Sequence, residues 1–106
     1  MKCDEDTKII IYSGVVDLRK GSVGLRNLVG STELKTLYLF SNRSRNLLKY
    51  LQVDKFGIST GARRLSSGLF QWPESPLGSQ CINSLELEYL LNGNSIKKLR
   101  LKTLLS

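Results

Sequence analysis

Thr36-Leu37-Tyr38-Leu39-Phe40, then Ser41-Asn42-Arg43-Ser44-Arg45-Asn46, then Leu47-Leu48-Lys49-Tyr50-Leu51-Gln52-Val53 is the stretch that decides the fold. Two runs rich in β-branched, aromatic and leucine residues flank a short polar, turn-prone link, the pattern of two strands joined by a turn. Asp54-Lys55-Phe56-Gly57 reads as a second turn, Ile58 to Leu65 as a further strand, and Ser66-Ser67-Gly68 as another turn. Leu69-Phe70-Gln71-Trp72 then reads as a fifth strand, ended by Pro73. Short strands with short connections predict an antiparallel meander.

Working outward on the N-terminal side, Thr7-Lys8-Ile9-Ile10-Ile11-Tyr12 is a β-branched run closed by Ser13-Gly14, a buried strand. Asp17 reads as the N-cap of a helix carrying Leu18, Gly21, Leu25, Leu28 and Val29, stopped at Gly30. On such a helix Arg19 and Arg26 lie about 20° apart and form a basic edge beside the apolar stripe. Gly21 and Gly24 cost helix stability, so they predict close approach of another backbone. On the C-terminal side, Pro73 to Gly78 is a loop and Asn83-Ser84-Leu85-Glu86 is a capping box that starts a helix through Leu87, Leu90 and Leu91, stopped at Gly93. The tail from Ile96 to Leu105 fits both a strand and a helix. The fold class is α+β: a short strand and helix, an antiparallel β-meander and a C-terminal helix. One domain spans residues 1–106, with 1–6 expected to be disordered and 95–106 a basic tail.

Charge is distributed unevenly. The 106 residues hold 16 Lys and Arg against 9 Asp and Glu, a net charge of +7 with no histidine. Residues 18–64 contain ten bases against only Glu33 and Asp54, residues 65–94 contain three acids and no base, and the tail adds Lys97, Lys98, Arg100 and Lys102. Bases gathered in this way favour a polyanionic partner, because they release condensed counterions when they neutralise phosphates. The alternative is a solvated surface that keeps the protein soluble.

Enzyme chemistry finds few residues to carry it. Without histidine the chain lacks the commonest general base and metal ligand. Cys3 and Cys81 fall short of a structural zinc site and read as unpaired thiols. Arg19-Lys20-Gly21-Ser22 has the letters of a phosphate-binding loop in the wrong order. Asp17, Asp54 and Glu86 have structural readings as a cap, a turn residue and a capping-box partner. No catalytic residue, metal or cofactor is expected. Trp72 has two readings, a base-stacking platform or a core residue, and its neighbours Leu69, Phe70 and Pro73 favour the core. Arg63 and Arg64 are adjacent strand residues and face opposite ways. An acidic N-terminus and the absence of a long apolar run predict a soluble, cytoplasmic protein without membrane association.

Several blocks resemble one known family. Asp17-Leu18-Arg19-Lys20-Gly21 with Gly24-Leu25 resembles its Asp-Met-Arg-Lys-Gly-x-x-Gly-Leu signature. Leu39-Phe40-Ser41-Asn42-Arg43 with Arg45 and Lys49, the turn of Asp54 and Gly57, and Arg63-Arg64-Leu65, Gly68, Phe70 and Trp72-Pro73 resemble the blocks that follow it, in the same order. The family is the small second-reading-frame protein, TnpB, of the insertion sequence 66 group of bacterial transposable elements. The chain departs from it at Val23, Asn46 and Val53, and the first two replace acids, which raises the local positive potential.

The resemblance implies a non-enzymatic accessory of transposition, encoded beside a separate, larger transposase. With the charge pattern, it makes Arg19, Lys20, Arg26, Arg43, Arg45, Lys49, Arg63 and Arg64 the candidate DNA-binding residues, for element ends or target DNA. The alternative is a protein-interaction module that binds the transposase or a sibling subunit without touching DNA.

Overall fold

In the structure, a computed structural model, residues 1–106 are described except 17, 18, 20, 66 and 106, with backbone only at 15, 103 and 105. Five strands form one sheet: β1 (Lys8–Val15), β2 (Thr36–Ser41), β3 (Leu47–Asp54), β4 (Gly57–Arg64) and β5 (Ser79–Ile82). Their order across the sheet is β4-β3-β2-β1-β5. The expected meander is β2-β3-β4, antiparallel throughout and in unbroken register from Thr36 opposite Val53 to Leu47 opposite Arg64. β1 runs parallel to β2. A parallel neighbour requires a crossover, and helix α1 (Ser22–Val29) lies in that connection.

β2 is the central strand, and all six of its residues are buried. Alternate side chains therefore feed two cores. On one face Ile9, Ile11, Leu37, Leu39, Leu48 and Ile82 pack with Phe70, with Leu87 and Leu90 of α2 (Ser84–Leu91) and with Ile96 of α3 (Ile96–Leu105). On the other, Tyr38, Phe40, Leu51 and Val53 pack beneath Leu25 and Val29 of α1. Tyr12 stacks on Phe40 there, with ring centroids 5.0 Å apart.

Three expectations are corrected. Leu69 to Trp72 is not a strand, and the fifth strand is Ser79–Ile82, antiparallel to β1. The alternation in Leu69-Phe70-Gln71-Trp72 is genuine, since Phe70 and Trp72 join the core while Leu69 and Gln71 are exposed. Any extended segment that lies on a core alternates in this way, with or without a ladder. The first helix begins at Ser22, with extended Gly21 at its N-cap and no side-chain capping bond. Asp17, read as the cap, lies outside the described residues, and Arg19 precedes the helix, so the predicted Arg19–Arg26 edge on one helix does not form. Among the described residues, a Cβ at Gly21 would meet nothing within 4 Å, so the expected close approach is not seen there.

The capping box forms as read. Asn83 Oδ1 accepts the Glu86 N–H at 2.8 Å, and Glu86 Oε1 accepts the Asn83 N–H at 3.0 Å. The ambiguous tail is helical. Residues 1–6 contain no helix or strand, and the Lys2 N–H donates to Gln52 Oε1 at 3.0 Å on β3.

Gly61 has a steric role on β4. It pairs with Tyr50, and a Cβ at this position would fall on the Tyr50 ring. Gly61→Ala is expected to push that ring off its strand neighbour and cost about 1–3 kcal/mol, the usual range for overpacking. In a Tyr50→Ala background most of the penalty should vanish, and a double-mutant cycle by urea denaturation measures the coupling. An additive result would contradict the contact.

Candidate nucleic-acid interface

β1, β2 and β4 finish at one end of the sheet, where β3 begins. This topology gathers bases that are far apart in sequence. Arg43 and Arg45 lie in the β2–β3 turn, Arg63 and Arg64 close β4, and Lys49 sits on β3 one turn of the ladder in, opposite Ala62. Arg19 follows the end of β1, and Arg26 lies in the last turn of α1. Lys20 lies outside the described residues.

The sheet then divides the group between its faces. Cross-strand partners share a face, so Arg64, opposite Leu47, and Lys49 lie on the α1 side, and Arg63, opposite Leu48, lies on the α2 side. A shallow depression on the α1 side brings Lys49 together with Ser22, Leu25 and Thr60. Arg63 lines a separate one with Cys3, Leu87 and Glu88. The structure thus gathers most of the predicted bases at one end, with Arg63 turned away from Arg64 as the strand alternation requires.

Their electrostatic states differ. Arg19, Arg26, Arg43, Arg63 and Arg64 are exposed. Among the described residues, no carboxylate pairs with Arg26, Arg43, Arg63 or Arg64, whereas Lys8 pairs with Glu33, Lys35 with Asp6 and Arg100 with Glu86. Two acids are engaged within their own turns. Asp4 accepts from Asp6 N–H and the Thr7 hydroxyl, bonds that hold its carboxyl below the usual range, and Asp54 accepts the Phe56 N–H at 2.8 Å to close the β3–β4 turn.

Arg45 is different in kind. Its backbone is left-handed, with φ 57°, a conformation costly for a residue with a Cβ. Two bonds fix it: the Arg45 N–H donates to Asn42 O at 3.2 Å, and Arg45 O accepts the Phe70 N–H at 2.7 Å. The guanidinium lies 5.7 Å from the centroid of the Trp72 ring and donates through Nη2 to Ser13 O at 3.2 Å. Burial pulls its pKa down, opposed by the nearby Glu74 carboxylate. Trp72 meets Phe70 edge to face and donates Nε1–H to Tyr12 O at 2.6 Å. Its core reading holds.

Sequence reasoning gave Lys97 and Arg100 only as charge in a tail of undecided structure. On the helix that forms they are three residues apart and share a face. Both line the groove that contains Arg45 and Trp72. The helical option for the tail was the signal that could have found them.

Among the described residues, no group of three His, Cys, Asp or Glu could hold a metal ion, and no helix is long and apolar enough to cross a membrane. Cys3 and Cys81 are exposed free thiols.

Residues 7–101 match the family described as IS66 Orf2 like protein, TnpB of IS66. The chain belongs to that family. A relative described as uncharacterized protein y4hO, from Sinorhizobium fredii (strain NBRC 101917 / NGR234), is 33% identical over 94 residues, covering 84% of this chain and 82% of the relative. No solved structure matches. Membership of the IS66 Orf2 family supports an accessory role in an insertion sequence.

Proposed function

We propose that this IS66 Orf2 family member is a non-enzymatic accessory of transposition that contacts DNA through Arg19, Lys20, Arg26, Arg43, Arg45, Lys49, Arg63 and Arg64. The observation that carries the reading is the pairing pattern. The ion pairs of the described residues engage Lys8, Lys35 and Arg100, and leave Arg26, Arg43, Arg63 and Arg64 exposed without a carboxylate. Unpaired exposed guanidiniums keep their full charge and fork of donors for phosphate oxygens.

The affinity for duplex DNA should fall steeply with salt, with a log–log slope of about −0.9 for each phosphate neutralised. Replacing Arg43 and Arg64 together by alanine should flatten that slope by about 2 units, since each side chain is exposed and accounts for about one phosphate. Fluorescence anisotropy across a salt series measures both quantities. An absence of association with duplex and single-stranded DNA at low salt would overturn direct contact and favour binding to the transposase of the element.

A further inference from the structure

We propose that the cleft between the Phe70–Glu74 segment and α3 is a binding site for a phosphate group of a nucleic-acid strand, with Arg45 and Lys97 as its cationic contacts. This deepens the DNA-binding reading above and rests on it. The cleft encloses about 650 Å³, room for a nucleotide unit, and is lined by Arg45, Phe70, Trp72, Glu74, Lys97 and Arg100.

Three observations converge there. Arg45 Nη1 is buried and has no hydrogen-bond partner among the described residues. Such a donor costs free energy until an acceptor reaches it, and the cost is larger for a charged group. No described carboxylate lies within ion-pair distance of Arg45. Glu86 takes up the charge of Arg100 at 2.6 Å, so Arg45 and Lys97 face Glu74 with one surplus positive charge. Finally, Arg45 is one of two non-glycine residues with positive φ among those described, and backbone held in such a conformation clusters at binding sites. A phosphate in the cleft would answer the surplus charge, and a small turn of the Arg45 guanidinium would bring the orphaned N–H out to one of its oxygens. The apolar wall of Phe70 and Trp72 lowers the local dielectric and strengthens that contact.

Trp72 is the single tryptophan of the chain, so its emission reports on this cleft alone. The test follows anisotropy of a labelled single-stranded oligonucleotide and of a labelled duplex alongside Trp72 emission, with deoxythymidine monophosphate as a free-phosphate arm. DNA binding should shift Trp72 emission in step with anisotropy. Lys97→Glu should weaken binding about tenfold, the scale of one lost charge-assisted contact. Lys55→Glu makes the same charge change at the β3–β4 turn, the opposite end of the sheet, and should leave affinity within a factor of about two. Arg45→Lys should also weaken binding, and where that variant melts early, Lys97→Ala supplies the same comparison from an exposed position.

Rising anisotropy with silent Trp72 emission, or equal effects of the two glutamate variants, would overturn the cleft and leave DNA binding standing. A Trp72 response to the mononucleotide without any DNA binding would support the phosphate site and overturn the DNA reading. No response in any arm would overturn both.

Discussion

Replacing Trp72 by alanine is expected to destabilise the fold by about 3 kcal/mol, the low end for a large aromatic because the ring is half-buried. The loss has three parts. Phe70 loses its edge-to-face neighbour at 6.3 Å, Tyr12 O loses the indole N–H, and the Arg45 guanidinium loses the ring beneath it. The consequence is regional as well as global, because the Phe70–Glu74 segment has no strand partner and is held by these contacts and the Phe70 N–H bond to Arg45 O. Trp72→Phe should cost less, about 1 kcal/mol for the lost hydrogen bond and some packing. Thermal and urea denaturation followed by circular dichroism provide the comparison. A base-stacking tryptophan would give the opposite pattern, with Trp72→Ala retaining native stability while losing affinity for single-stranded DNA.

The meander and the second helix were legible because each rested on local chemistry. The Thr36–Phe40 and Leu47–Val53 runs have strand composition, and Asp54 closes its own turn through one side-chain bond. Asn83 and Glu86 likewise make their two capping bonds with each other, within four residues of chain. Misreadings arose where burial pattern and ladder pairing part company. Phe70 and Trp72 alternate onto the core without a ladder, whereas Ser79-Gln80-Cys81 has little apolar content and is a strand because β1 offers it a free edge.

The candidate interface was legible as charge and only partly as geometry. Excess base in residues 18–64 follows from counting, and the meander brings the β2–β3 turn with Arg43 and Arg45 to the end of β4 with Arg63 and Arg64. The placement of Arg19 at that end, however, depends on β1 running parallel to β2, a long-range pairing that no local pattern encodes. Arg43 and Arg45, two residues apart in one turn, read as equivalent in sequence. In the fold Arg43 is exposed, while the left-handed backbone of Arg45 turns its guanidinium onto Trp72. Positive φ at an arginine has no compositional signal, since glycine and asparagine are the residues that advertise it.

Glu86 is the second position where a large effect is expected, because one side chain performs two tasks. Oε1 accepts the Asn83 N–H to complete the cap of α2, and Oε2 accepts Arg100 Nε at 2.6 Å to tie α3 to α2. Its residue is 7% exposed, so removing either partner leaves a buried carboxylate oxygen without its hydrogen bond. Glu86→Ala should cost about 2 kcal/mol, combining a lost cap with a charge-assisted bond discounted because the Arg100 side chain is half exposed. For a domain of this size that is a fall of roughly 8–15 °C in melting temperature. Glu86→Gln retains an acceptor for the cap and loses the charge, and Arg100→Ala retains the cap and loses the tie, so the two should each cost less than Glu86→Ala. Arg100→Ala should additionally loosen α3, which carries Lys97, and so weaken any ligand of the cleft while the β-sheet stays intact. Amide hydrogen exchange separates these outcomes, with protection lost first along α3 in Arg100→Ala and along both helices in Glu86→Ala. Uniform loss of protection in both variants would show that the helices and the sheet unfold as one unit and that the tie between α2 and α3 has no local role.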